Sequence, residues 1–370
     1  MKTLKNYIYS FLEIIIRERR RRYWICLMKR NISSLDTNGG GGGGRKLTNN
    51  QKNSIQNVFQ KAPHFSYVSH IFYTIATGRF FPNYMPDSLY YQYIDPFYNN
   101  WNMASFLDHK GLYRNMFPGA KQPKLLTYRM NGFWYNENGI IINQEEAISA
   151  VMHSKNSFIK QAVESEGGHG IIFVDSSKQT PQSLKKLLDF NNLDIVVQEG
   201  LEQSSTLSCI NSSSVNTIRL LTLLKRDGNV KIYSSLLRVG INGAKVDNAS
   251  CGGITVGIEE NGRLKSCAYS NKGVRFYQHP TSGVKFSDFT IPNFEEVKHT
   301  VIEQAKNFPH FRLISWDIAL EINNNPVIIE ANLKYGEIDI HQLNNGPLFG
   351  DDTKEILNEV FAHKHKKLLF

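Results

Sequence analysis

Near the C-terminal end of the chain, three oxygen-bearing side chains stand at a spacing that suits a cation. Asp317 lies in the run Ser315–Ile322, and Glu330 and Asn332 lie in Val327–Asn332. Between the runs, Asn323-Asn324-Asn325-Pro326 reads as a hairpin turn. Strand alternation puts Asp317, Ala319 and Glu321 on one face. Folding about the turn is expected to pair Asp317 with Asn332 and Ala319 with Glu330, so that Asp317, Glu330 and Asn332 share one side. Two carboxylates brought that close repel unless a cation lies between them. The set contains only oxygen ligands, which suits Mg²⁺. A polar outer face of an edge hairpin is the plainer alternative, and the apolar run Val327–Ile329 weakens it.

A second hairpin carries two arginines. Val215–Leu224 and Val230–Val239 flank Arg226-Asp227-Gly228-Asn229, and Asp-Gly is a strong hairpin signal. Pairing about it sets Arg219 opposite Leu236 and makes Arg219 and Arg238 diagonal neighbours. Adjacent guanidiniums call for an anion between them, and their planar fork suits phosphate or carboxylate. Two independent surface salt bridges are the alternative. Further upstream, Phe158-Ile159-Lys160 ends a strand in a lysine, and the loop Glu164–Gly170 follows with Gly167, Gly168 and Gly170. Backbone N–H groups of such a loop can cradle phosphate. Taken alone this signal is weak, because Gly-Gly between strands usually makes an ordinary turn. It matches neither the P-loop nor the dinucleotide pattern. His279 and His341 read as core or surface histidines, and no Ser, Cys or His forms a nucleophilic constellation.

The elements that position these groups follow from periodicity. Residues 4–30 read as one amphipathic helix followed by the six glycines Gly39–Gly44. Residues 51–130 read as helical, rich in Tyr, Phe and Pro. Short strands then dominate, with helices at Glu145–His153, Pro181–Phe190, Phe294–Asn307 and Asp351–Lys364, and a strand Asp194–Glu199 ending in Gln198 and Glu199.

At 370 residues the chain has room for two or three lobes. Its net charge of +10 invites a nucleic-acid reading, but residues 1–50 hold eleven Lys/Arg and three acids, so eight of those charges belong to the N-terminal extension. The body is nearly neutral, so no nucleic-acid partner is expected. The basic helix is instead expected to lie as a partly packed surface helix, with peripheral membrane contact through residues 1–30 as the alternative. Four scattered cysteines without a CxxC pair suit a reducing cytosol, and no apolar run reaches the ~18 residues needed to span a bilayer. The expected location is the cytoplasm, including the inner face of its membrane.

The order of these motifs resembles the ATP-grasp superfamily, an α+β fold of two lobes gripping ATP. More narrowly, Ser213–Arg219, Leu237–Gly240, Val246-Asp247-Asn248, Gly252-Gly253-Ile254, His279-Pro280, Ser315–Ile318 and Ile329–Asn332 resemble the sugar-transfer-associated ATP-grasp family and, in part, the teichuronopeptide type. The resemblance spans roughly residues 85–345. It implies four segments: 1–50, the basic helix and poly-Gly linker; 51–130, a helical region before the ATP-grasp unit; 131–200, the small lobe with its phosphate lid; and 201–370, the lobe with the metal site. Lys160 would meet the α/β-phosphates, with Gly167, Gly168 and Gly170 as the lid. Gln198, Glu199 and Leu201 would line the adenine hinge, and Glu202 would reach the ribose. Asp317, Glu330 and Asn332 would hold one or two Mg²⁺, with Mn²⁺ compatible. Arg219 and Arg238 would grip the γ-phosphate or an acceptor carboxylate, while Asn216, Asp247 and Asn248 shape the acceptor side. A second nucleotide-binding lysine is expected, with Lys124 the candidate and Arg129 its substitute. Asp108 and Lys110 resemble the family's Asp-Lys pair. Gln161 and His169 depart from the family's usual Pro and Lys.

What the resemblance implies is an ATP- and Mg²⁺-dependent carboxylate–amine ligase working through an acyl phosphate, in cell-surface polysaccharide synthesis. Its partners would be ATP, a uronic or sugar-linked acid, and an amine. Three other readings stay open: a kinase using the same site, a weakly catalytic nucleotide-binding partner of a glycosyltransferase complex, and a basic membrane- or nucleic-acid-associated module.

Overall fold

The computed structural model describes residues 2–37, 46–107, 109–163, 170–189, 194–244, 247, 252–308 and 310–362. Gly39–Gly44, Asp108, Gly167, Gly168, His169 and Asn248 lie outside them.

Two antiparallel sheets organise the chain. The first contains β1 (Leu125–Met130), β2 (Phe133–Asn136), β3 (Ile141–Ile142), β4 (Asn156–Gln161), β5 (Ile172–Asp175) and β6 (Ile195–Glu199), in the order β3-β2-β1-β6-β4-β5. The first strand falls in the stretch expected to be helical, and the second falls where short strands were expected. Asn131 and Gly132 carry the positive φ values, 51° and 84°, that a tight hairpin turn demands, so the Asn-Gly pair is what makes a hairpin here. Helices Gln144–Met152 and Pro181–Leu188 cover one face and bury Leu126, Ile159, Val174, Leu184 and Val197 between them and the sheet. Both helices start with a capping box, on Asn143 with Glu146 and on Thr180 with Ser183.

The second sheet contains β7 (Thr217–Leu224), β8 (Val230–Val239), β9 (Ile254–Ile258), β10 (Leu264–Ser270), β11 (Arg275–Phe276), β12 (Leu313–Leu320) and β13 (Pro326–Asn332), in the order β11-β10-β9-β8-β7-β12-β13. All eight residues of β12 are buried, because the sheet is covered on both sides. Helix Phe294–Ala305 packs Val297 and Val301 toward Ile218, Leu237 and Trp316 on one face. On the other, Leu221, Leu223 and Leu313 meet Tyr90, Tyr91, Ile94 and Ile356 from the helical segments before and after the sheets.

Helix Lys2–Thr37 docks its C-terminal half on this second layer. Met28 and Leu35 are buried against Phe72 and Tyr73 of helix Val68–Thr77. Trp24 stacks on Tyr91 with ring centroids 3.9 Å apart, and Arg20 lies over Trp101. The opposite side leaves Ile15, Ile16, Arg19, Arg22 and Tyr23 exposed. Among the described residues, no helix is long and apolar enough to cross a membrane.

Candidate active site

The hairpin β7–β8 pairs Arg219 with Leu236 and Thr217 with Arg238, as its Asp-Gly turn requires. The hairpin β12–β13 differs from expectation. Asp317 lies opposite Glu330 and Ser315 opposite Asn332, because the turn starts the pairing at Leu320 with Pro326 and a bulge that skips Ile329 then brings Glu330 opposite Asp317. The correction tightens the acidic pair from diagonal to directly opposed, and alternation still keeps Glu330 and Asn332 on the same face as Asp317.

The anion between the two arginines is the protein's own Asp317. Strand β12 lies beside β7 with Asp317 paired to Arg219. Arg219 Nε and Nη2 donate to the two carboxylate oxygens at 2.7 and 2.6 Å, and Arg238 Nη1 donates at 3.0 Å. Burial pushes this carboxyl up, and the two guanidiniums outweigh that, holding it at about 2. Burial works against the charge on Arg219, but Asp317 and Glu337 raise its pKa further above the ordinary arginine value. The third edge of Arg219, Nη1, donates to Glu337, a residue that the sequence reading did not single out.

Lys110 is the other residue that sequence reasoning left without a role. It follows an irregular segment and is buried, with Nζ 2.9 Å from Glu330. Lys160 on β4 reaches to the neighbouring β6 and donates to Gln198 Oε1 at 2.9 Å. Burial, and then the neighbouring Lys110, lower the pKa of Lys160 to about 8. Lys124, the expected second lysine, is exposed and pairs with Glu199 at 3.0 Å. Arg129 lies over the Trp134 ring. The signal for Lys110 was its place in the Asp-His-Lys triplet 108–110, and its burial is what distinguishes it from Lys124.

A cavity of about 510 Å³ opens beside these groups, lined by Lys110, Arg114, Phe117, Lys124, Leu125 and Gln198. Three cations against one carboxylate, Glu137, with two amides and apolar side chains around one space, suit an anionic heterocycle such as a nucleotide. Gln198 is buried and lies opposite Leu125 and Phe158, Leu201 is half-buried and Glu202 is exposed. Gly170 takes φ 77° at the start of the segment before β5.

The acceptor-side candidates are built differently. The Asn216 amide donates to the carbonyls of Leu207 and Asn211 at 3.0 and 2.9 Å, so it shapes the loop before β7. Asp247 accepts from the Thr217 N–H at 3.0 Å and from its hydroxyl, and lies 3.6 Å from Arg238. Burial raises its pKa.

The donor set fits a hard cation. Asp317 is held ionised, and Asn332 donates through Nδ2 to the Ser315 carbonyl at 3.1 Å, which leaves its amide oxygen to serve as a ligand. Among the described residues, no group of three His, Cys, Asp or Glu side chains is placed to hold a metal. An ion here would therefore rest on Asp317, Glu330, Asn332 and oxygens from outside the protein.

No curated protein matches the sequence. Among solved structures, the chain is similar to the ATP-grasp ligase PsnB complexed with a minimal precursor (14% identity, TM-score 0.41, covering 72% of this chain and 63% of that one). It is also similar to the biotin carboxylase domain of 2-oxoglutarate carboxylase from Hydrogenobacter thermophilus (14%, 0.43, 72% and 48%). A third likeness is N5-carboxyaminoimidazole synthetase from Staphylococcus aureus with ADP (10%, 0.42, 72% and 53%). The chain thus spans less than two thirds of each of these proteins. Over residues 90–357, which include every strand of both sheets, the sequence matches the sugar-transfer associated ATP-grasp family, and the chain belongs to that family.

Proposed function

We propose that the chain is an ATP- and Mg²⁺-dependent carboxylate–amine ligase acting on an acidic group of a cell-surface polysaccharide or its precursor. The observation that supports this most is the convergence of Lys110, Lys160, Glu330 and the Arg219–Asp317–Arg238 triad, drawn from both sheets and the segment before them. A carboxylate resists nucleophiles because it is negatively charged. Moving the γ-phosphoryl group of ATP onto a carboxylate oxygen makes an acyl phosphate, and attack by an amine then forms the amide and releases phosphate. This chemistry asks for positioning and charge neutralisation more than for a protein nucleophile. Lys110 and Lys160 supply fixed positive charge for phosphate oxygens, and Gln198 orients Lys160. Arg219 and Arg238 keep Asp317 ionised and present donors to the anionic acceptor. Asp317, Glu330 and Asn332 would hold Mg²⁺, which would supply further neutralisation of phosphate charge.

Calorimetry of ATP binding with and without Mg²⁺, on the wild type, Glu330→Gln and Asp317→Ala/Glu330→Ala, tests the nucleotide site. Mg²⁺-dependent binding that the substitutions remove supports it and justifies a screen of uronic acids with amino acids. A folded wild type that binds no ATP excludes the ligase.

A further inference from the structure

We propose that Glu337 is a built-in substitute for the anionic acceptor, holding the outer edge of Arg219 until a carboxylate or phosphate of the acceptor displaces it. The acceptor's identity rests on the function proposed above, whereas the anion subsite itself does not. Arg219 is only 5% exposed, and two of its three nitrogens fork onto Asp317. The remaining nitrogen, Nη1, faces Glu337, whose side chain is 47% exposed and makes no other ion pair among the described residues. The buried edge of this guanidinium is therefore permanent, and the outer edge is held by a group that is half in water.

The backbone around Glu337 is clamped while its side chain is not. Tyr335 donates its N–H to Asp95 at 2.9 Å, and Ile338 donates to the Tyr91 hydroxyl at 3.3 Å. Gly336 lies between, where a Cβ would come within 3.2 Å of the Ser315 side chain on β12. Tyr335 and Glu337 both take left-handed backbone conformations, φ 56° and 50°, a local strain that residues without a functional constraint seldom keep. With the turn fixed on both flanks, rotation of the Glu337 side chain alone can open or close the arginine edge. Exchanging one partly solvated carboxylate for another anion keeps the same charge pairing, so the exchange is nearly balanced. Arg238 Nε is buried without a hydrogen-bond partner among the described residues, which leaves the arginine pair a further donor.

The test is titration of the nucleotide-free full chain with inorganic phosphate by calorimetry. Glu337→Gln keeps an oxygen for Arg219 but removes the competing charge, and is expected to bind phosphate about fivefold tighter than the wild type or more. Glu295→Gln, an equal charge change at an exposed site remote in sequence, is expected to change nothing. Equal or weaker binding by Glu337→Gln overturns the proposal, as does an equal gain in the Glu295 variant. If Glu337→Gln does not unfold cooperatively, Glu337→Asp retracts the carboxylate by one methylene and is held to the same direction of change. ATP binding is read separately, so failure of the nucleotide site leaves this outcome interpretable.

Discussion

Arg219 holds Asp317 in a two-pronged grip, with Nε on one carboxylate oxygen at 2.7 Å and Nη2 on the other at 2.6 Å. Arg238 adds a third bond at 3.0 Å, so one buried carboxylate neutralises two buried guanidiniums. Asp317→Asn removes the buried counter-charge the two cations share, leaving Arg219 only the half-exposed Glu337 and Arg238 only Asp247 at 3.6 Å, and is expected to lower stability by about 3–5 kcal/mol. Glu330→Gln removes the ion-pair partner of Lys110 and a charge that also acts on Lys160 and Arg219. It is expected to lose Mg²⁺-dependent ATP binding with a smaller stability loss of about 1–3 kcal/mol, because Glu330 is partly solvated. Urea unfolding of the two variants separates the roles, and a mild effect of Asp317→Asn would contradict the triad. The pH sign follows from the depressed pKa. The Asp317 contribution is complete above the ordinary carboxylate value of 3.8 and is lost as pH falls toward about 2.

Lys160 gives a second pH signature, in binding. Burial and Lys110 hold its pKa at about 8, so the free protein carries a largely deprotonated Lys160 at pH 9 and a largely charged one at pH 7. ATP affinity is therefore expected to fall about tenfold across that interval, because protonation must accompany phosphate binding at the higher pH. Lys160→Arg stays charged throughout and is expected to flatten the profile. A wild-type profile as flat as that of the arginine variant would remove Lys160 from the phosphate site.

Much of this site was legible because hairpins are local. The Asp227-Gly228 turn sets Arg219 opposite Leu236 with no tertiary information. The bulge, which leaves Ile329 of β13 unpaired beside Asp317, was not legible, because the Asn-rich turn admits several registers and no residue type marks the skipped position. That Asp317 itself lies between the arginines depends on β12 pairing with β7 across all of the intervening chain, residues 225–312, which no local pattern records. Lys110 and Glu337 sit in irregular segments, where period-based reading has nothing to count. The hairpin at Leu125–Asn136 was readable from Asn131-Gly132, but the surrounding Tyr, Phe and Pro residues masked it.

Asp87 makes a third expectation testable away from the site. It is buried, accepts from the hydroxyls of Ser69 and Tyr73 at 2.8 and 3.2 Å, and burial raises its carboxyl to about 6 despite those bonds. The folded protein thus holds this proton at pH values where the unfolded chain has lost it, so the group disfavours folding increasingly as pH rises from about 4 to about 6. Asp87→Asn keeps an acceptor for both hydroxyls and removes the titration. The stability of the variant relative to wild type is expected to rise across that interval and level off above it. A difference that does not change with pH would show that Asp87 is ionised throughout.

The N-terminal helix is expected to be part of the folded body and not a detachable tag. Removing residues 1–37 would uncover Phe72 and Tyr73, which Met28 and Leu35 now cover, and would strip Trp24 from Tyr91. Tyr91 in turn accepts from the Ile338 N–H, one residue beyond the Glu337 that meets Arg219. Trp24→Ala is expected to lower stability by about 2–4 kcal/mol through lost aromatic burial. Because the stack supports the turn that carries Glu337, the same variant is expected to bind phosphate more tightly than wild type while leaving ATP affinity within about twofold. Arg19→Glu/Arg22→Glu, on the exposed face, reads the alternative use of this helix. If that face rests on an anionic bilayer, the double variant loses sedimentation with vesicles of phosphatidylglycerol and phosphatidylcholine, while its melting temperature is unchanged. If wild type and variant both stay in the supernatant, the helix serves the fold alone.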